Sequence, residues 1–183
     1  ERFGPKISFG FLGAPTLANG RVNMLPIRAG VVMETYYYPA TSSHQGTIIY
    51  LSSYGDFGIL DDARCATLAA QGYEVYGLDP MRYLLHASVN GRIQPEDLRK
   101  DLEEVCGLIS ADPYLIAMPI AAGLGIVWSG LVTRVKGLIA IGLATPSFKA
   151  KHIFNLTNPR IFALPRYVSQ IAPRPLALIW HEG

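Results

Sequence analysis

Short apolar runs alternate with longer amphipathic stretches along most of this chain. The runs are rich in β-branched and aromatic residues, as strands are, and two are apolar at every position, which is typical of strands buried on both faces of a parallel sheet. The predicted strands are Val31–Tyr38, Thr47–Leu51, Tyr73–Leu78, Tyr114–Met118, Val135–Leu143 and Leu176–Trp180. Leu25–Ile27 is expected to pair with the first of them as a hairpin.

The stretches between these strands carry helix signals. Asp61 or Asp62 can cap one helix, and Pro95 suits the first turn of the next, in which apolar residues keep a helical spacing. The predicted helices are Ala63–Gln71, a helix that begins at Pro95, a long apolar helix from Pro119 or Ile120 to residue 134, and Arg166–Ile171. Residues 81–92 are interpreted as a connecting excursion.

The alternation of strands and helices predicts an α/β fold with a mostly parallel sheet flanked by helices. Residues 1–24 are rich in glycine and proline, and we interpret them as an N-terminal arm with a short strand at Lys6–Phe11. Residues 25–183 form the predicted domain. Its last strand is followed by only three residues, so no helix covers it, and we expect the natural domain to continue past Gly183 at the C-terminus.

Composition narrows the class of protein. Of the 183 residues, half are hydrophobic and 16% are charged, which is enough apolar material for a sizeable core. The net charge is only +2 and no run of Lys or Arg occurs, so nucleic acid is not an expected partner. The longest apolar stretch, Ile116–Val132, contains Pro119 and three glycines and is better explained by a buried strand, turn and helix than by a membrane span. We expect a soluble protein, either cytoplasmic or a processed exported form.

Cofactor and metal signals are weak. Cys65 and Cys106 fall in predicted helices without metal-ligand neighbours and are interpreted as small buried hydrophobic residues. No H-x-x-x-H, C-x-x-C or carboxylate cluster suggests a metal. Gly123 and Gly125 do not fit the spacing of a dinucleotide-binding loop. No metal and no cofactor are therefore expected.

Several phrases, in this order, resemble the α/β-hydrolase fold over about residues 25–183. The segment at 47–58, TIIYLSSYGDFG, is similar to the strand and loop that help to form an oxyanion hole. The segment at 68–83, LAAQGYEVYGLDPMRY, is similar to the helix end, strand and aspartate-containing turn that follow in that fold. PEDLRKDLEEV at 95–105 resembles the helix before the nucleophile, and PRPLALIWHEG at 173–183 the strand before the catalytic acid. The resemblance implies a hydrolase-like architecture.

The same resemblance puts the nucleophile of that family in a G-x-S-x-G turn between a strand and a helix. Here the aligned residues are Ala117-Met118-Pro119-Ile120-Ala121. Pro119 has no hydroxyl or thiol, and its ring fixes φ near −65°, whereas the family's nucleophile sits in a strained turn, typically at positive φ. Pro119 is thus a degenerate nucleophile position and suits the first position of an ordinary helix instead.

Other candidate groups are sparse. Ser53 follows a strand in S-Y-G and is a weak candidate nucleophile, and Glu182 lies near the place of the family's acid. The backbone N–H groups of Tyr54 and Ile120 are the natural oxyanion donors of such a fold. Without a nucleophile they could still hold a carboxylate or another anion.

Three functions follow from these observations. The first is a non-catalytic α/β-hydrolase-like protein, a pseudo-hydrolase, with a binding, structural or regulatory role toward a small molecule or a protein partner. The second is a serine hydrolase or acyl-transfer enzyme acting on an ester, thioester or amide, with catalytic residues misaligned here or lost by truncation. The third is another doubly wound α/β domain in which Pro119 merely starts a helix.

Overall fold

A computed structural model describes Pro15 and residues 17–53, 57–88, 93–143 and 161–180. Twelve elements lie in these ranges. The strands are β1 Arg21–Arg28, β2 Val31–Tyr38, β3 Gly46–Leu51, β4 Tyr73–Leu78, β5 Tyr114–Ala117, β6 Gly137–Ile141 and β7 Leu176–Ile179. The helices are α1 Ile59–Ala70, α2 Pro80–Ala87, α3 Pro95–Leu108, α4 Ala122–Leu131 and α5 Leu164–Ile171.

The seven strands form one sheet in the order β1-β2-β4-β3-β5-β6-β7. β1 and β2 form an antiparallel hairpin, and β2 also pairs with β4 in the antiparallel direction. Every other pairing, from β4 across to β7, is parallel. The predicted α/β class with a mostly parallel sheet is therefore confirmed. The predicted hairpin is also present, with its first strand beginning at Arg21, four residues earlier than expected.

The direction of each crossover places the helices on two faces of the sheet. The crossover from β3 through α1 to β4 runs toward the β1 edge of the sheet. The later crossovers, from β4 to β5, from β5 to β6 and from β6 to β7, run toward the β7 edge. Because parallel crossovers are right-handed, α1 lies on one face and α2 to α5 lie on the other. We call these the α1 face and the four-helix face.

Each face has its own apolar core. Alternate residues of β3 and β5 point to opposite sides, so Ile49 and Leu115 pack on the four-helix face while Ile48 and Ile116 pack on the α1 face. The four-helix core is the larger and includes fully buried Trp128 from α4. Both cysteines are buried, as predicted, Cys65 on the α1 face and Cys106 on the opposite one.

Several boundaries differ from the prediction. Residues 80–87 are a helix and not a loop excursion, because Asp79 caps its start by accepting a hydrogen bond from the Met81 N–H at 2.9 Å, and Pro80 occupies its first turn. The cap of α1 is Gly58, whereas Asp61 lies inside the first turn and accepts from the Gly58 N–H at 3.2 Å. The predicted strand at Lys6–Phe11 lies outside the described residues.

In the described part of the chain, none of the helices combines the length and the apolar character needed to cross a bilayer.

Candidate functional site

The chain turns sharply where β5 ends and α4 begins. Met118 donates its N–H to the carbonyl of Leu51 at 2.9 Å, which ties the turn to the end of β3. Ala121 donates to the carbonyl of Met118 at 3.0 Å and closes the turn. Between them Ile120 has a φ of +75°, and α4 starts only at Ala122. The expectation that Pro119 or Ile120 begins the helix is therefore wrong.

This positive φ identifies Ile120 as the strained residue of the turn. A β-branched side chain at positive φ is unfavourable by itself, so the surrounding hydrogen bonds must impose it. The resemblance described above puts the nucleophile position at Pro119, whose ring prevents a positive φ. In the structure, the residue of this turn with a positive φ is Ile120 and not Pro119. Neither Pro119 nor Ile120 carries an atom that could attack a carbonyl.

The end of β6 packs directly against this turn. Gly142 follows β6 with a φ of +67°, and a Cβ atom at this position would lie 2.9 Å from Cγ of Pro119. A glycine is required there for both conformation and space. The side chain of Ile120 points outward and is 63% exposed, so an apolar group stands at the carboxyl edge of the sheet.

Ser53 is brought next to the turn. It lies one residue beyond the buried Ser52, and its hydroxyl donates to the carbonyl of Pro119 at 3.1 Å. This carbonyl cannot accept a proton as a general base does, so the contact does not activate Ser53 as a nucleophile. The structure therefore places Ser53 next to the turn. Among the described residues, the hydrogen-bond partner of its hydroxyl is a carbonyl and not a general base.

The predicted oxyanion donors are only partly described. Tyr54 and the candidate acid Glu182 lie outside the described residues. Ile120 lies at the turn, as expected, and the next N–H along the chain belongs to Ala121. That N–H already donates to the carbonyl of Met118. The role of Tyr54 and Ile120 as anion donors stays a prediction.

A buried charged cluster at the carboxyl end of β4 was not predicted. Arg82 of α2 lies 3.5 Å from a carboxylate oxygen of Asp79 and 3.6 Å from one of Glu34. The hydroxyl of Tyr36 donates to Glu34 at 2.7 Å. Burial, followed by this bond, raises the pKa of Tyr36 far above its ordinary range. The sequence did contain one sign of this cluster, namely Glu34 among the mostly apolar residues of β2. A charged side chain in a buried strand needs a partner of opposite charge or a hydrogen bond.

His86 is half-buried on α2, and burial lowers its pKa below the ordinary value, which favours the neutral imidazole. Among the described residues, no group of three His, Cys, Asp or Glu side chains could hold a metal ion.

Replacing Ile120 by glycine should stabilise the protein. Glycine adopts positive φ without strain, and the exposed Ile120 side chain gives up little packing, so we expect the free energy of unfolding to rise by about 1 kcal/mol. Urea denaturation measures the change, and Ile120→Val, which keeps the β-branch, should show no such gain. A loss of about 1 kcal/mol, as for glycine at an ordinary position, would contradict the positive φ at Ile120.

Comparison with known proteins shows the fold and leaves the activity open. No protein-family model and no curated protein matches the sequence. Solved structures do match. Esterase 2 of Thermogutta terrifontis, phosphorylated by paraoxon, superposes with a TM-score of 0.60 at 8% identity, over 92% of this chain and 84% of its own. A protein assigned as a dienelactone hydrolase from Klebsiella pneumoniae subsp. pneumoniae gives 0.58 at 10% identity, over 90% and 85%.

Naproxen esterase from Bacillus subtilis gives a TM-score of 0.52 at 11% identity, over 74% of this chain and 46% of its own. The sheet and its helices are thus α/β-hydrolase-like. Identities this low show the fold alone, because one fold supports many functions and the function depends on the residues of the site.

Proposed function

We propose that this protein is a non-catalytic α/β-hydrolase-like protein that binds a small molecule or a protein at the carboxyl edge of its sheet. One observation carries the proposal: the residue in the strained pose between β5 and α4 is Ile120, which has no nucleophilic atom. Pro119 before it has none either. Acyl transfer on this fold requires a nucleophile at that turn, so the turn is suited to contact and not to covalent chemistry.

The surroundings of the turn support a binding role. The exposed side chain of Ile120 offers an apolar contact, and the end of β6 at Gly142 closes on Pro119 behind it. Ligands of open α/β sheets bind at the carboxyl ends of the strands, where this turn lies. An apolar or partly apolar ligand, or an apolar side chain of a partner, matches the exposed isoleucine.

The alternative is a serine hydrolase or acyl-transfer enzyme that uses Ser53. The observation in its favour is the position of Ser53, 3.1 Å from the carbonyl of Pro119 and therefore beside the expected reaction centre. Among the hydrogen bonds of the described residues, the hydroxyl of Ser53 donates to this carbonyl and not to a base. The third hypothesis, another doubly wound α/β domain, is less well supported than the other two, because the fold is hydrolase-like.

Reaction with a fluorophosphonate tests the proposal. We expect the intact mass of the protein to stay unchanged, because no activated serine is present to form the phosphonyl ester. The Thermogutta esterase, which paraoxon phosphorylates, serves as the positive control. Pro119→Ser should also remain unlabelled, because a hydroxyl without a base or a positive φ is a poor nucleophile.

Covalent labelling at any serine would overturn the proposal. Ser53→Ala then separates the alternatives, since loss of the adduct in this variant would identify Ser53 as the nucleophile. Circular dichroism before and after incubation shows that an unlabelled sample is folded.

A further inference from the structure

Residues 118–121 form a tight turn of a defined type. The Ala121 N–H donates to the carbonyl of Met118 at 3.0 Å, so this bond joins the first and the fourth residue of the turn. Pro119, the second residue, has its φ fixed at about −65° by its ring. Ile120, the third residue, has a φ of +75°. These are the features of a type II turn, in which the third residue is ordinarily glycine or asparagine. Isoleucine therefore occupies the strained position of this turn.

The sequence of the turn also fits a second backbone form. If the peptide between Pro119 and Ile120 rotates by about 180°, the type II turn becomes a type I turn, which has a φ of about −90° at its third residue and accepts most residues there. Ala121 already has helical angles, with φ −79° and ψ −15°, so the rotated form adds a turn to the start of α4. Pro119 then occupies the first helical position, which proline favours.

The hydroxyl of Ser53 distinguishes the two forms. It donates to the carbonyl of Pro119 at 3.1 Å, and this carbonyl belongs to the peptide that rotates. In a trans peptide the C=O and the N–H point in opposite directions, so the rotation turns the carbonyl away from Ser53 and breaks this bond. The bond between Ala121 and Met118 joins the ends of the turn and is common to both forms. The strained form therefore keeps a hydrogen bond that the relaxed form loses.

The strain and the hydrogen bond are similar in size. A positive φ at a β-branched residue and a neutral hydrogen bond each change an equilibrium constant by about tenfold. The packing of Gly142 on Pro119 does not oppose the rotation, because only ψ of Pro119 and φ of Ile120 change and the proline ring stays in place. Loss of the Ser53 bond is therefore enough to make the relaxed form the prevalent one.

We propose that residues 118–121 are a two-state element, a strained turn that can relax into the first turn of α4, and that the Ser53 hydroxyl holds the strained form. Ser53 is then a positioning residue for the exposed side chain of Ile120. A group that draws the Ser53 hydroxyl away from the Pro119 carbonyl moves this side chain at the carboxyl edge of the sheet. The inference concerns the free protein, so it stands or falls separately from the proposed binding function.

Nuclear magnetic resonance of the full chain tests the proposal. The distance between the Hα of Pro119 and the amide proton of Ile120 depends on ψ of Pro119, which is about +120° in a type II turn and about −30° in a type I turn. The strained form has the shorter distance, so the wild type should show a strong nuclear Overhauser effect (NOE) between these protons. We expect Ser53→Ala to weaken this NOE by about fivefold, because the relaxed turn then prevails.

Two further variants separate the loss of the bond from a general distortion. Ser53→Thr keeps a hydroxyl and should retain the NOE. Ser53→Ala combined with Ile120→Gly should retain it as well, because glycine takes a positive φ without strain and no longer needs the bond. An NOE of full strength in Ser53→Ala alone would overturn the proposal. An equal loss in the double variant would also overturn it, because strain at residue 120 would then not drive the change.

A second measurement leaves Ser53 intact, in case Ser53→Ala fails to fold. Relaxation dispersion of the Ala121 amide nitrogen reports exchange with a minor form on the microsecond to millisecond timescale. We expect such exchange in the wild type and its suppression in Ile120→Gly, where the turn of the structure has no strain to release. Exchange of equal size in the two proteins would contradict the two-state turn.

Discussion

Replacing Leu115 by aspartate should abolish cooperative folding of the domain. Leu115 is fully buried in β5, where it lies between Ile49 of β3 and Leu138 of β6. An unpaired carboxylate at this point costs at least about 5 kcal/mol, whether it stays charged or is protonated. That loss is comparable with the whole stability of a domain, about 5–15 kcal/mol. Near-ultraviolet circular dichroism and urea denaturation should show neither native packing nor a cooperative transition.

Tyr114→Asp is the matched control for this variant. Tyr114 is the neighbouring residue of the same strand, but it points to the α1 face and is 40% exposed. A carboxylate there stays in contact with water, so we expect the variant to fold and to lose about 1 kcal/mol. A Leu115→Asp variant that unfolds cooperatively at nearly the wild-type urea concentration would contradict the central position of β5.

Replacing Asp62 by alanine should destabilise the protein by about 3 kcal/mol, because several buried donors lose one charged acceptor. The Asp62 carboxylate is buried at the first turn of α1. It accepts from the Tyr38 hydroxyl at 2.8 Å, from the Asn19 side-chain amide at 2.6 Å, and from the backbone of residues 18–20. Asp62→Asn keeps one oxygen acceptor and should lose less. Urea denaturation at neutral pH compares the two variants with the wild type.

The contribution of Asp62 should also depend on pH in a defined direction. Burial pushes the pKa of Asp62 up, but the hydrogen bonds from Tyr38, Asn19, Gly20 and Ala18 outweigh it, so the pKa lies below the ordinary value of 3.8. The stabilisation is thus fully present above the pKa of the unfolded chain and is lost as the pH falls through the lower pKa of the folded state.

We therefore expect the difference in unfolding free energy between wild type and Asp62→Asn to be constant at neutral pH and to shrink below about pH 4. Denaturation curves recorded across this range measure it. A difference that grows on acidification would show that the folded protein raises the pKa of Asp62, contrary to the hydrogen bonds described.

The main elements of the fold were predictable because their signals are local. The buried strand β3 is apolar without interruption from Ile48 to Leu51, and Pro95 marks the start of α3 by its fixed φ. Helix α2 was missed for an identifiable reason. Asp79-Pro80 was interpreted only as the end of β4, although an aspartate followed by proline is also the cap and first position of a helix, as it proves to be here.

The candidate site was predictable only in part. The apolar run before Pro119 showed that a strand turns there into a helix, and Pro119 itself carries no hydroxyl or thiol. The residue with positive φ could not be inferred from preference, because isoleucine disfavours that conformation. The hydrogen bonds of Met118 and of the Pro119 carbonyl impose it, and they depend on β3 lying beside β5.

The sequence by itself determined which segments become most of the strands and helices, their order, and that residues 117–121 carry no hydroxyl or thiol. These properties depend on side-chain type and spacing over a few residues, so they can be seen in one chain. Only the tertiary structure decided that Ile120 takes the strained pose, that Ser53 meets Pro119 and that Ile48 and Ile116 share a core with α1 on one face of the sheet. Those features arise from crossovers that bring together residues far apart in the chain, and no local pattern encodes the distance between them.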